Sequence, residues 1–442
     1  MSESTEESEF DIDDENLYDS LSSYIESVLN IVSSLPNTDL ENRRTVPQPQ
    51  EGSFVETNAQ DIDVGKAKQL AESIAWEEFP GYSECESAFE ISDLYSKEAG
   101  YAVDMGVIED IDTQDKLVKE NSLPKFLTRY LIKNGELEYD EEKLEQTYTE
   151  FEDYLKSDSI KYRGTALLSG FEMEPEELEL GSDLKMREIG EDEKRDLLRY
   201  GRAYRTQTPG GYYVIEKTYT VNKFEGSRRG PATESFHNLI LGLRLFDIEG
   251  DVGYTAYTVE PQSPFHIEAN PRAVGHVTPI YGKPYQLQED NAEDFVEFWR
   301  KIGKYLSSPP ESYRIAIDKF STSFNRTNEN DRLLDSVIAL EAIYLKSTET
   351  QEMSYRLSQR GALLLGNTKD EAKEIQSTLR DAYNHRSSLV HGSSTDVEQD
   401  SVIELHELTR RSLSKFLHSY ADDKDHQEIL SELDEEAITP AN

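Results

Sequence analysis

The sequence YNHRSSLVHG, residues 383–392, is the stretch that decides the fold of this chain. It continues a helical pattern in which Ile375 and Leu379 fall on one face, four residues apart. Thr368 supplies a capping oxygen where the pattern begins, and Gly392 suits the left-handed turn that commonly ends a helix. These residues predict one long amphipathic helix that ends at a histidine and a glycine.

Four further helical patterns flank this helix between residues 311 and 422. Their apolar residues recur every three or four positions, and the loops between them are short. The four patterns cover residues 313–324, 331–345, 353–365 and 402–417. The third of them ends at Gly366, which we expect in a left-handed cap. Five helices joined by short loops predict an all-α bundle.

Arg386 and His391 are the residues of this bundle on which chemistry would centre. Five residues at 100° each place the two side chains about 140° apart on an ideal helix. One chain brings them together only across a frayed helix end, whereas two copies of the helix end could supply both to one site. The alternative is structural: His391 caps its own helix, and Arg386 pairs with a carboxylate such as Glu341.

Three segments of the bundle together resemble the signature of Apea-like HEPN domains. They read LEAIYL at 340–345, RLSQRGALLL at 356–365 and YNHRSSLVHG at 383–392, in matching order and spacing. The predicted bundle, residues 311–422, makes up about a quarter of the chain. The resemblance implies a dimer-forming helical bundle in which two Arg-x4–6-His motifs face each other.

The resemblance also implies an activity. Many HEPN proteins are metal-independent ribonucleases of toxin–antitoxin, abortive-infection and CRISPR-associated systems, and others bind nucleotides or RNA or serve as scaffolds. Carried over residue by residue, Arg386 would neutralise the scissile phosphate, and His391 would move the proton between the 2′-hydroxyl and the leaving oxygen. The resemblance thus implies an RNA substrate, a homodimer through the bundle, no cofactor, and an antitoxin or regulatory partner.

Asn384, His385 and Ser387 flank the motif and are candidate supporting residues. The well-described HEPN nucleases commonly carry Asn, Asp or His where this chain has Ser387, which can hydrogen-bond but cannot titrate. This difference keeps open a second function, a non-catalytic module that dimerises or binds nucleotides or RNA. A third hypothesis makes the region before the bundle a ligand sensor whose signal the bundle transmits.

Glu341 interrupts an otherwise apolar helical face, and Arg356 and Arg360 lie in the next helix. Because a buried carboxylate is costly unless it is paired, we expect Glu341 to pair with Arg360 or Arg356. Glu341 and Arg360 are therefore further candidate supporting residues of the site.

The region before the bundle changes its hydrophobic period along the chain. Residues 66–165 follow mostly helical patterns. Residues 166–310 mix strand patterns at 212–221 and 254–259 with helical patterns at 191–200 and 236–246. The predicted fold class is therefore α+β, with an all-α HEPN-like bundle at 311–422 behind a mixed α/β module.

Both ends of the chain are acidic. Residues 1–65 hold 16 acidic and two basic side chains, which predicts a disordered arm. Apolar residues at helical spacing predict one amphipathic helix over 17–35, either a docking element or a cap on the protein's own core, and the cap is favoured. Residues 423–442 predict a mobile acidic tail.

The formal net charge of the whole chain is −43, yet residues 351–420 hold nine basic and ten acidic side chains, a net charge of −1. The chain has 25 Tyr and 16 Phe, which argues against wholesale disorder. We interpret the acidity as the surface of a halophilic protein in a salt-rich cytosol. At molar salt the Debye length is about 3 Å, so net charge does not exclude an RNA substrate.

Cys85 is the single cysteine, which excludes an internal disulfide and a Cys-rich zinc site. The sequence contains no GxxxxGK[ST] phosphate loop, no HExxH pair and no GxSxG elbow. Its longest apolar stretch falls far short of the roughly 20 residues that span a bilayer. We therefore expect a cytoplasmic protein without a metal, another cofactor or a membrane segment.

Overall fold

The computed structural model describes residues 12–34, 64–104, 117–191, 193–194, 197, 212–224, 229–247, 252–266, 272–273, 284–346, 348–349, 351–392 and 397–438. The chain is α+β, with its described strands before residue 288 and a purely helical described region after it. The chain divides into two units, each of which has dense internal contacts. The first comprises residues 1–162, 220–226 and 261–271, and the second comprises 163–219, 227–260 and 272–442.

The described part of the first unit contains six α-helices. They are α1 (Glu15–Ser34), α2 (Val64–Ser73), α3 (Tyr82–Ile91), α4 (Asp93–Asp104), α5 (Leu123–Asn134) and α6 (Glu141–Lys156). A 3₁₀ turn covers Trp76–Glu78, and a π-helical turn at Val118–Ser122 leads into α5. The mostly helical pattern predicted for this part of the sequence is therefore seen in the structure.

Helix α1 is the amphipathic helix expected over 17–35, and the structure confirms it. Leu17, Leu21, Tyr24 and Ile25 have no exposed surface, and the helix packs against α3 and α6. The apolar face of α1 therefore caps the core of its own unit, which was the favoured interpretation. The remainder of the arm predicted to be disordered, residues 1–11 and 35–63, lies outside the described residues.

The strands form one sheet of six and one of two. They are β1 (Ser159–Ser169), β2 (Phe171–Met173), β3 (Glu177–Glu179), β4 (Leu184–Ile189), β5 (Tyr212–Asn222), β6 (Gly253–Pro261), β7 (Arg272–Ala273) and β8 (Tyr285–Leu287). The larger sheet has the order β3-β4-β5-β1-β6-β7, and β2 pairs in parallel with β8. Strands β5 and β6 confirm the patterns predicted at 212–221 and 254–259, whereas most of the helix predicted at 191–200 lies outside the described residues.

Eight helices of the second unit are described. They are α7 (Gly230–Phe246), α8 (Glu289–Ser307), α9 (Glu311–Ser323), α10 (Glu329–Tyr344), α11 (Met353–Leu365), α12 (Lys369–Val390), α13 (Gln399–Ala421) and α14 (His426–Ile438). Helices α9 to α13 match the five helical patterns predicted between 311 and 422. Helix α13 runs through the centre of this group and contacts α7 to α12 and α14.

The turn at Gly366 differs from its prediction. Its φ is −78°, so the expectation of a left-handed cap is wrong. Glycine is needed there for close approach, because a Cβ at Gly366 would lie 2.7 Å from the Cβ of Ala372 at the start of α12. The left-handed cap belongs instead to Gly392, with φ of 83°, at the other end of α12.

The acidic tail predicted at 423–442 contains a packed helix where the structure describes it. Residues 426–438 form α14, which buries Ile429, Leu430 and Leu433 and packs against α11. The prediction of a mobile tail was wrong because the segment, although acidic in composition, carries one apolar stripe at helical spacing.

Candidate functional site

Arg386 lies near the end of α12 and faces α10. Its Nη2 atom is 3.4 Å from Oε2 of Glu341, and the two side chains are 28% and 15% exposed, respectively. The ring of Tyr383, one helical turn earlier, has its centroid 6.0 Å from the Arg386 guanidinium carbon. The structure therefore confirms the alternative interpretation for this residue, in which Arg386 pairs with Glu341.

Three polar atoms of Glu341, Arg386 and the adjacent residue His385 are buried and have no hydrogen-bond partner among the described residues. They are Oε1 of Glu341, Nε of Arg386 and Nδ1 of His385. An unpaired buried polar group costs about 1–3 kcal/mol, so each one calls for an explanation, and a functional role is one of the explanations. Because Nε of Arg386 is buried, a ligand or a second chain would meet only the 28% of this side chain that is exposed.

His391 is the residue at which α12 ends. Its backbone N–H donates to the carbonyl of Ser387 at 3.1 Å, and the N–H of Gly392 donates to the carbonyl of Leu389 at 3.1 Å. The His391 side chain is exposed, and its imidazole has no hydrogen bond to any residue in the described ranges. Within one chain, His391 caps its own helix, and no described contact joins it to Arg386.

Other residues of the motif form hydrogen bonds within α12. The hydroxyl of Ser388 donates to the carbonyl of Asn384 at 3.1 Å, and Ser387 supplies the carbonyl that accepts from His391. The side chains of Asn384 and Ser387 form no hydrogen bond with the described part of the chain. Of these two, Ser387 is half-buried and Asn384 is exposed.

The pKa of the Glu341 carboxyl is raised above its usual value. Burial disfavours the charged carboxylate and outweighs the opposing attraction of Arg386. Burial also raises the pKa of the Tyr383 hydroxyl, and the charge of Glu341 adds to that effect. Glu341 therefore exchanges its proton at a higher pH than an exposed glutamate.

Arg360 does not contact Glu341, so the predicted pair with Arg360 or Arg356 is wrong. Nη2 of Arg360 lies 2.7 Å from Oε1 of Glu349, and its Nε lies 2.8 Å from Oδ1 of Asp434 on α14. Arg360 is only 2% exposed, and its Nη1 also donates to the carbonyl of Tyr344. Arg360 therefore belongs to a structural ion cluster that fixes α14 rather than to the site around Arg386.

An open groove lies between the first turn of α11 and the middle of α12. Its volume is about 690 Å³. Tyr355 is 50% exposed on one side of it, and Arg380 stands on the other without an ion-pair partner among the described residues. We call this feature the tyrosine groove; it is lined by Glu352, Met353, Ser354, Tyr355, Arg380 and Tyr383.

The tyrosine groove was not predicted from the sequence, although one residue spacing pointed to part of it. Arg380 and Tyr383 are three residues apart, which makes them neighbours on one stripe of a helix. The positions of Met353 and Tyr355 beside that stripe depend on how α11 packs against α12, which helical spacing does not specify.

A second polar cluster, also missed by sequence reasoning, is buried in the first unit. Nζ of Lys223 is 2.7 Å from Oε2 of Glu98, and neither side chain is more than 2% exposed. The hydroxyl of Tyr154 donates to Glu98 and lies 3.0 Å from Nδ1 of His266, whose Nε2 lies 3.0 Å from the hydroxyl of Tyr162. Because an ion pair and hydrogen bonds join these groups to one another and all of them are buried, we assign the cluster a structural role.

Comparison with known proteins gave no match among protein-family models, curated proteins or solved structures. Within the described ranges, none of the helices has the length and apolar character needed to cross a membrane. The same residues contain no group of three or more His, Cys, Asp or Glu side chains arranged to hold a metal ion.

Proposed function

We propose that this chain is a metal-independent endoribonuclease of the HEPN type that acts as a homodimer in a defence, toxin-like or stress-response role. The observation that carries the proposal is a partly exposed arginine, Arg386, five residues before an exposed histidine, His391. A partly exposed guanidinium suits a phosphate oxygen, and an exposed imidazole suits proton transfer.

The chemistry follows from the two residue types. The 2′-oxygen of a ribose attacks the neighbouring phosphorus, the bond from phosphorus to the 5′-oxygen breaks, and a 2′,3′-cyclic phosphate and a 5′-hydroxyl result. His391 takes the proton from the 2′-hydroxyl and delivers one to the leaving 5′-oxygen. Arg386 stabilises the charge that develops on the phosphate oxygens.

In a homodimer, Arg386 of one copy and His391 of the other can form one site, which a single chain does not provide. His391 and Arg386 are not joined within the chain, so the proposal requires that one copy presents Arg386 and the other presents His391. A twofold interface places the same patch of both copies against itself and so creates two equivalent composite sites.

The second candidate function is a non-catalytic module that dimerises or binds nucleotides or RNA. The contact between Arg386 and Glu341 favours it, because a paired arginine is less available to a scissile phosphate. Ser387 also favours it, because a hydroxyl next to the arginine cannot titrate in the neutral range.

The test is cleavage of total RNA by the purified protein in molar salt with EDTA present. His391→Ala should abolish cleavage while the circular dichroism spectrum and thermal melting of the protein stay unchanged, since His391 is exposed. Equal cleavage by the wild type and the variant would assign the activity to another site or to a contaminant. Intact RNA with both proteins would favour the binding module.

A further inference from the structure

Two arginines of α12 lie three residues before and three residues after Tyr383. Arg380, Tyr383 and Arg386 are three residues apart, so each step turns the helix by about 60° and advances it by about 4.5 Å. The centroid of the Tyr383 ring lies 6.0 Å from the guanidinium carbon of Arg386. The two arginines are about 120° apart around α12 and about 9 Å apart along it, and Tyr383 is midway between them in sequence.

The tyrosine groove adjoins this part of α12 and adds further flat surface. Tyr355 is 50% exposed and is the one aromatic residue among the exposed large hydrophobic residues of the described chain. Together with Met353 and Tyr383, it gives the groove a mainly apolar floor. Exposed aromatic rings beside arginines are the surface on which single-stranded nucleic acids stack their bases.

The charges at the groove set the direction in which a ligand would lie. Glu352 stands on the α11 side and repels phosphate, whereas Arg380 and Arg386 lie on the α12 side. Arg380 is exposed and has no ion-pair partner in the described ranges, although the whole chain carries a net charge of −43. A nucleotide would therefore place its base toward α11 and its phosphates along α12.

We propose that the tyrosine groove binds a base of single-stranded RNA by stacking on Tyr355, next to the phosphate that Arg386 contacts. The inference rests on the proposed function and adds a substrate-binding subsite to it. A second copy of the chain is a less suitable occupant, because two copies joined through this groove would bring like-charged arginines together.

Binding is tested with the full chain, separately from cleavage. The probe is a labelled single-stranded 2′-O-methyl RNA, which lacks the attacking hydroxyl, and its binding is followed by fluorescence anisotropy in molar KCl with EDTA. Tyr355→Ala should raise the Kd about tenfold, the loss expected from one stacked base. Arg380→Gln should raise it severalfold. The matched controls Ile315→Ala and Arg300→Gln change an exposed apolar residue and an exposed arginine outside the groove, and both should leave the Kd unchanged.

The result that overturns the subsite is equal affinity of Tyr355→Ala, Arg380→Gln and the wild type. Tight binding of adenosine monophosphate that single-stranded RNA fails to compete with would overturn it too, because the occupant would then be a free nucleotide. A Tyr355→Ala variant that no longer dimerises but binds RNA as tightly as the wild type would also overturn the subsite. Unmodified RNA that competes with the probe for the groove but is not cleaved supports the subsite and refutes the nuclease, so the two proposals fail separately.

Discussion

Among single side chains, Glu341 decides how much of Arg386 remains available to a ligand. Its carboxylate holds one nitrogen of Arg386 at 3.4 Å, while burial raises its pKa above the usual value. As the pH falls toward that raised pKa, Glu341 becomes neutral and its attraction for the guanidinium weakens. The affinity of Arg386 for a phosphate should therefore increase at mildly acidic pH.

Glu341→Gln should reproduce the protonated state at neutral pH. We expect the variant to bind the 2′-O-methyl RNA severalfold more tightly than the wild type, and with less pH dependence, as measured by fluorescence anisotropy. Glu407→Gln is the matched control, since it removes the partner of Arg410 on α13. Unchanged or weaker RNA binding by Glu341→Gln would show that Glu341 orients Arg386 instead of competing for it.

The partner of a charged side chain was harder to predict than its position in a helix. Spacing alone placed Glu341 on a buried face and Arg360 in the next helix, and both placements are correct. The predicted pair failed because Asp434, one of the partners of Arg360, lies 74 residues further along the chain in a segment expected to be mobile. The alternative pair of Arg386 and Glu341 was correct.

Among the helices, α12 shows which features local sequence determines. Thr368 Oγ1 accepts from the N–H of Glu371 at 3.2 Å at one end, and Gly392 turns left-handed at the other. Both caps involve residues within four positions of each other, so the sequence alone predicted where α12 begins and ends. Gly366 and α14 were predicted wrongly, because each is determined by a neighbour in space.

Helix α14 should depend on Arg360 for its attachment to α11. Arg360→Met leaves Glu349 and Asp434 without their shared cation, and loss of one partner from a buried ion pair costs about 3–5 kcal/mol. Urea unfolding should show that loss in the free energy of unfolding. Glu432→Gln, also on α14, removes an exposed ion pair with Lys424 and should cost less than about 1 kcal/mol. Equal stability of Arg360→Met and the wild type would mean that the apolar face of α14 suffices to hold it.

At the scale of the whole molecule, charge limits where two copies can meet. The chain carries −43, but residues 351–420 carry −1, so this segment offers a surface with little mutual repulsion. It contains Val390, which is 58% exposed immediately before His391 at the end of α12. An exposed valine at the helix end that carries the motif is a suitable centre for a twofold contact.

Val390→Asp should therefore separate the copies without unfolding either one. We expect the wild type to sediment as a dimer in molar salt and the variant as a monomer, with RNA cleavage lost in the variant because each composite site needs both copies. Ile315→Asp is the matched control, since Ile315 is 57% exposed on α9 of the same bundle and should leave both the dimer and the cleavage intact. A wild type that stays monomeric at tens of micromolar would rule out the composite site. That result would favour the binding module, because one chain does not bring Arg386 and His391 together.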